Sequence, residues 1–260
     1  MSLTWTADQL VKTKSTNVDR YKRNFLRQAV CELRFPTLME LGESKPPVAL
    51  VNALRREYPH LELANEVTLG MGNMNNDNSH IHTMRTSKLN WAVSIKQSSL
   101  TIETSAYTEY AEMKSRALKV IEAAGKVIDT DFFTRVAIRY INVIDVGSDP
   151  ADGWVNPSLV AALRENAFTN IQEFAGKILL SAEDGGCLLQ HGVRVKPLAS
   201  GEKVAPEYFI DIDSFRGEMP IEAVADALDS IHEQAFNLFD WCIGEKSREH
   251  LTAEKSSKRI

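Results

Sequence analysis

Two arginines, Arg34 and Arg139, sit at matching points of two strand-like segments, Leu33-Arg34-Phe35 and Ile138-Arg139-Tyr140. Each projects from the face opposite the large apolar side chains of its segment. A guanidinium is a planar fork that holds a carboxylate or another oxyanion through parallel hydrogen bonds. The pair therefore fits an anion or a partner's carboxylate. The competing reading closes each arginine onto a neighbouring carboxylate, with Glu32, Glu103 and Asp211 in range.

Tyr140 and Asn142 follow on the apolar face of the second segment. A buried amide has to be hydrogen-bonded, so Asn142 either fixes a loop or reads a ligand. His232 borders the inner face of the last helix, as a general base or as a satisfied core histidine. Arg34, Arg139, Tyr140, Asn142 and His232 are the candidate binding residues, and no residue is assigned a catalytic role. His80 and His82 share one side of a strand, a geometry metals use, but no third ligand is identifiable. No metal or other cofactor is expected.

Asp211 and Asp213 share a strand face without a nucleophile or base beside them. The chain has no glycine-rich phosphate loop, G-x-S-x-G elbow, C-x-x-C pair or H-E-x-x-H. No motif specifies a reaction, which makes an enzyme the less favoured class. Trp91, Trp154 and Trp241 read as core or interface aromatics rather than stacking platforms.

The chain of 260 residues, 43% hydrophobic, has enough apolar material for a substantial core. A net charge of −5 disfavours tight, non-specific nucleic-acid binding, which needs a basic footprint. Three unevenly spaced cysteines, Cys31, Cys187 and Cys242, are expected as reduced thiols of a cytoplasmic protein. No run approaches the roughly 18 apolar residues of a membrane span. The opening MSLTWTADQL has no basic segment leading into an apolar one, so neither export nor membrane attachment is expected.

The elements that must position these residues follow from periodicity. The segment Thr134 to Val146 alternates cleanly, is rich in β-branched residues, and reads as the long central strand. Further strands are expected at Phe25 to Phe35, Glu62 to Gly70, Ile81 to Thr86, Trp91 to Lys96, Leu100 to Ala106, Lys177 to Ala182, Gly186 to Lys196 and Glu207 to Asp213. Apolar residues at spacings of three and four predict long helices over Tyr110 to Ile128 and Pro220 to Ile243. Shorter helices open at Pro46-Pro47 and at Pro157. Asn73 to His80 is a polar, turn-rich loop.

The two halves share a grammar. Leu33-Arg34-Phe35 parallels Ile138-Arg139-Tyr140, Leu50 to Arg55 parallels Leu159 to Arg164, and Ile102-Glu103 parallels Ile210-Asp211, all at nearly one offset. The expected fold is α+β: two pseudo-repeated β-α-β-β-β-α units forming mostly antiparallel sheet with helices on one face. Residues 1–20 are expected as a mobile arm, 21–133 as the first unit, 134–243 as the second, continuous with it, and 244–260 as a charged, frayed tail. A half-covered sheet leaves its other face to find company.

The runs YKRNFLRQAVCELRFP, LNWAVSIKQSSLTIETSAYTEYAEM, RVAIRYINVI and IHEQAFNLFDWCIG resemble a bacterial family known as the "sporadically distributed protein" family. The resemblance spans roughly Tyr21 to Ile243, most specifically in Arg139 to Asn142 and in Tyr107. It implies no catalytic residue, and it associates the chain with mobile or defence loci. The leading expectation is a non-enzymatic module that binds a protein partner or its own copy through the sheet face or a groove between units. The alternatives are a saddle-like nucleic-acid binder using Arg34, Arg139, Arg194 and Lys196, and a small-ligand receptor or enzyme with a pocket under the last helix.

Overall fold

The computed structural model describes residues 6–65, 68–69, 74–75, 79–146, 149, 152–164, 168–169, 171–195 and 206–253. The strands are β1 (Leu26–Arg34), β2 (His60–Asn65), β3 (Thr68–Leu69), β4 (Met74–Asn75), β5 (His80–Arg85), β6 (Trp91–Lys96), β7 (Ser99–Thr104), β8 (Phe132–Ile144), β9 (Glu173–Ala182), β10 (Gly185–Val195) and β11 (Pro206–Pro220). The helices are α1 (Val48–Leu54), α2 (Tyr110–Ile128), α3 (Ala161–Arg164), α4 (Val224–Cys242) and α5 (Glu245–Thr252). The fold is α+β, with nine strands in one antiparallel sheet in the order β2-β5-β6-β7-β1-β8-β11-β10-β9, beside a small β3-β4 hairpin. Among the described residues no helix is long and apolar enough to cross a membrane.

The chain divides into two compact units. One comprises Gln28–Ile138 and Phe215–Asp229. Its strands follow the period-two rule: Ala29, Cys31 and Leu33 are buried in β1, with Gln28, Val30 and Glu32 half-buried between them. Antiparallel registers place Cys31 opposite Ile102, Ile102 opposite Val93, and Val93 opposite Met84, a continuous apolar row. Helix α2 turns Met113, Ala117, Val120, Ile121, Ala124 and Ile128 inward, the stripe its sequence predicts. It ends at Asp129 in the left-handed region, whose N–H donates to the Gly125 carbonyl at 3.3 Å. Arg116 ties the unit together, bonding Glu112 and Glu57 while its guanidinium lies 4.5 Å from the Trp91 ring.

The other unit comprises Met1–Arg27, Arg139–Ser214 and Ser230–Ile260. Tyr208, Ile210, Ile212 and Ser214 are fully buried on the inner face of β11, as are Cys187 and Leu189 on that of β10, where His191 is also buried. In α4, Ile231, Ala235 and Cys242 are fully buried.

Several boundaries differ from the sequence reading. Strand β11 continues to Pro220, past the expected end at Asp213, so α4 starts at Val224 after a 3-10 turn over Ile221–Ala223. The extension is hidden because its inward positions are polar: Ser214 and Arg216 are buried where an alternation search looks for apolar residues. The helix opened by Pro157 is a 3-10 turn followed by the four residues of α3. Residues 245–252, expected within a frayed tail, form α5. The buried Leu251 carbonyl accepts from the Lys22 N–H at 2.9 Å, and the Ser247 hydroxyl donates to the Trp154 carbonyl at 2.6 Å. The expected arm also has partners, given below. Half of Asn73 to His80 (73 and 76–78), the linker residues 147–148 and 150–151, Lys196 and residues 254–260 lie outside the described residues.

Candidate functional site

The two arginines meet carboxylates of their own units. Arg139, on β8, grips Asp211 of β11 with both arms of its fork, Nε to Oδ1 at 2.8 Å and Nη2 to Oδ2 at 2.5 Å. Arg34 closes on Glu32 of its own strand at 3.1 and 3.2 Å. Glu32 also accepts from Arg135, and Gln28 donates to Glu103 at 2.9 Å. Arg135 lies 4.7 Å from the Phe215 ring, while Arg194 bonds Glu207 and faces Phe209. In each unit the outer sheet face thus carries cross-strand ion pairs and arginine–aromatic contacts. Arg194 is paired, and Lys196 lies outside the described residues.

Tyr140 and His232 do come together. The Tyr140 hydroxyl lies 2.9 Å from His232 Nδ1, and His232 Nε2 lies 3.2 Å from the Asp19 carboxylate. Carboxylate, imidazole and hydroxyl are hydrogen-bonded in series, but with the hydroxyl buried and the carboxylate exposed. This is the reverse of a hydrolase triad, in which the hydroxyl faces the substrate and the carboxylate is buried. Tyr140 and His232 are both buried, so the series reaches solvent at Asp19, whose side chain is 59% exposed. The hydrogen bond to His232 holds the Asp19 carboxyl below its ordinary range. Asp19 itself has a left-handed backbone, φ 56°. Asn142 stays apart from the series; its amide donates to the Ile210 carbonyl at 3.4 Å.

Asp19 belongs to the segment expected as a mobile arm, and that segment lies along α4. Ser230 donates to Asp8, Gln234 to the Ala7 carbonyl, Lys14 to Glu233 at 3.1 Å, and the Ser15 N–H to Asn237 at 2.8 Å. Tyr21 bonds Asp240 and stacks on Phe236 at 5.7 Å. A cavity of about 170 Å³ lined by Asp8, Val11, Lys14, Glu233 and Asn237 lies between segment and helix. Sequence reasoning missed these partners because polar residues spaced for a strap carry no periodic signal.

His80 and His82 each face a backbone carbonyl, of Gly42 at 2.9 Å and Glu43 at 2.8 Å. Among the described residues no three His, Cys, Asp or Glu side chains gather as metal ligands. All three cysteines are buried and none is in a disulfide; the Ser214 hydroxyl donates to Cys187 Sγ at 3.1 Å. Burial pushes the Cys31 thiol up to about 12 and raises that of Cys242 as well, which suppresses the nucleophilic thiolate.

Among the described residues the sheet ends at β2 and β9, and no described strand pairs with the outer edge of either. All six residues of β2 are exposed, Leu61 and Leu63 among them. Strand β9 exposes Ile178 and, at 62%, Leu179. Such edges present a row of N–H and C=O groups that another strand can pair. The sequence reading began β9 at Lys177, four residues late, because Ala175 and Gly176 dilute its β-branched signal. No family model matches the chain, and no curated protein is significantly similar to it.

Proposed function

We propose that this protein is a non-enzymatic interaction module that holds a protein partner, or its own copy, along the free edges of its sheet. The observation that carries the reading is the apolar exposure at both end strands, Leu61 and Leu63 on β2 and Ile178 and Leu179 on β9. Main-chain pairing supplies affinity at such an edge, and alternate side chains supply specificity. The expected use of the sheet face fits less well, because its charged side chains already have partners within each unit. The buried Tyr140–His232 pair suits fastening of the Asp19 segment better than chemistry on a substrate.

The strand order supports reading the chain as two copies of one unit. The first half runs β5-β6-β7-β1 across the sheet and the second runs β9-β10-β11-β8, the same sequence of positions. In this reading β2 is an addition to the first copy, laid outside β5, and among the described residues β9 has no equivalent cover. The resemblance to the sporadically distributed family is in keeping with a bacterial cytoplasmic module of a mobile or defence locus, and three buried cysteines outside any disulfide suit such a reducing setting.

The test is photo-crosslinking in cells of the source organism, with a photoreactive residue at Leu63, at Leu179, or at Thr101 on the outer face. Polypeptide adducts from the two edge positions and none from Thr101 are expected. Adducts from Thr101 alone, or from none of the three, overturn the reading.

A further inference from the structure

We infer that the strand taken up by β9 is β9 of a second copy of this chain, paired antiparallel about a two-fold axis at Ala175. The inference rests on the interaction-module reading and names its partner. Residues on the outer face of β9 and just before it read Ile171, Glu173, Ala175, Lys177 and Leu179. Antiparallel pairing about Ala175 sets residue i opposite residue 350 − i of the other copy. Ile171 then meets Leu179, Glu173 meets Lys177, and Ala175 meets itself. The row is its own complement: apolar, negative, small, positive, apolar.

The inner face agrees with the same register, which sets Phe174 opposite Gly176 and Gln172 opposite Ile178. An aromatic ring beside a cross-strand glycine covers backbone that the glycine leaves bare. Glu173, Lys177 and Leu179 are all exposed in the single chain, so the row is accessible. A two-fold contact uses one patch twice and closes, giving a dimer rather than a fibre. Shifting the register by one residue would bring Glu173 against Gly176 or Ile178 and lose both charge pairs. Strand β2 bonded to β5 shows the same device within the chain, an antiparallel strand laid on the outermost position of a half.

The experiment is sedimentation velocity on the full chain over a concentration series reaching about 100 µM. The wild-type chain is expected to dimerise. Glu173→Lys puts two lysine–lysine pairs into the dimer and Lys177→Glu two glutamate–glutamate pairs, each weakening it at least about tenfold. An equimolar mixture of the two variants restores Lys–Glu opposition at every position and should dimerise again, as should the Glu173→Lys/Lys177→Glu chain. Recovery in the mixture also shows that the single variants are folded. A wild-type monomer at the top concentration, a dimer indifferent to both reversals, or a mixture that stays monomeric overturns the inference. A wild-type monomer whose Leu63 or Leu179 probes still capture another polypeptide overturns it while leaving the interaction-module reading intact.

Discussion

The Asp19 carboxylate lies 3.2 Å from His232 Nε2, although 213 residues separate them in the chain. The bond fastens the N-terminal segment to α4 at a residue held in a left-handed conformation. Asp19→Ala loses the bond and keeps the unfavourable φ, at a cost of about 1–2 kcal/mol. Asp19→Gly also loses the bond but adopts φ 56° freely, so it should cost less. Tryptic cleavage after Lys12, Lys14 and Arg20 is the readout, rising in both variants and more in the alanine. Acid should release the segment too. The Asp19 pKa is lowered in the fastened state, so protons bind preferentially to the released one. Fastening is complete above the ordinary carboxylate value of 3.8 and is lost as pH falls through the depressed one.

Arg139 and Asp211 separate an anion site from a structural clasp. Asp211 is buried and Arg139 is the side chain that spans its two oxygens. Arg139→Ala strands a buried carboxylate and should cost about 1–3 kcal/mol in chemical denaturation. The pair Arg139→Leu/Asp211→Leu should recover much of that loss. An arginine serving a ligand instead would leave the melting point nearly unchanged on removal.

Two glycines should respond to alanine in opposite directions. A Cβ at Gly176 would lie 2.3 Å from His191 Nε2, a ring held by the Tyr208 hydroxyl 2.7 Å from its other nitrogen. Gly176→Ala is therefore expected to destabilise by about 1–3 kcal/mol. Gly125, exposed near the end of α2, has nothing within 4 Å of the equivalent position. Gly125→Ala should stabilise by up to about 1 kcal/mol, since glycine is the poorer helix former. Parallel thermal melts of the two variants check both signs.

Elements with clean periodicity were legible in the sequence. Helix α2 matches its apolar stripe from Tyr110 to Ile128, and β6 runs from Trp91 to Lys96 as its alternation requires. Of the candidate site, the approach of Tyr140 to His232 was within reach, because Tyr140 falls on the apolar face of the central strand and His232 at the border of the inner face of the last helix. Their third member was not, since nothing in Asn17 to Arg20 marks a contact with a helix two hundred residues later. Arg34 and Arg139 show the opposite failure. The sequence reading sets them at matching strand positions, yet one pairs along its own strand and the other across to β11, a choice made by which carboxylate the sheet brings near. Edge exposure at β2 and β9 was invisible because strand order, not strand composition, decides which strands end a sheet.

Buried histidines should make the protein acid-sensitive in a window different from that of Asp19. His191 is buried on the inner face of β10, and burial lowers its pKa from the ordinary 6.5. The folded state then binds protons less readily than the unfolded one, so the stabilising contribution is complete above about pH 6.5 and is lost as pH falls through the depressed value. His82 and His250 shift the same way, again chiefly by burial, and add to the slope. The His191 share is isolated by comparing urea midpoints of wild type and His191→Leu at pH 7.5 and pH 5. His191→Leu leaves the buried Tyr208 hydroxyl without its imidazole, so it should be less stable at pH 7.5 by about 1–3 kcal/mol. Its deficit should narrow at pH 5, because only the wild type then meets the unfavourable protonation. A deficit that is constant or grows on acidification would mean that the imidazole enters the core already charged.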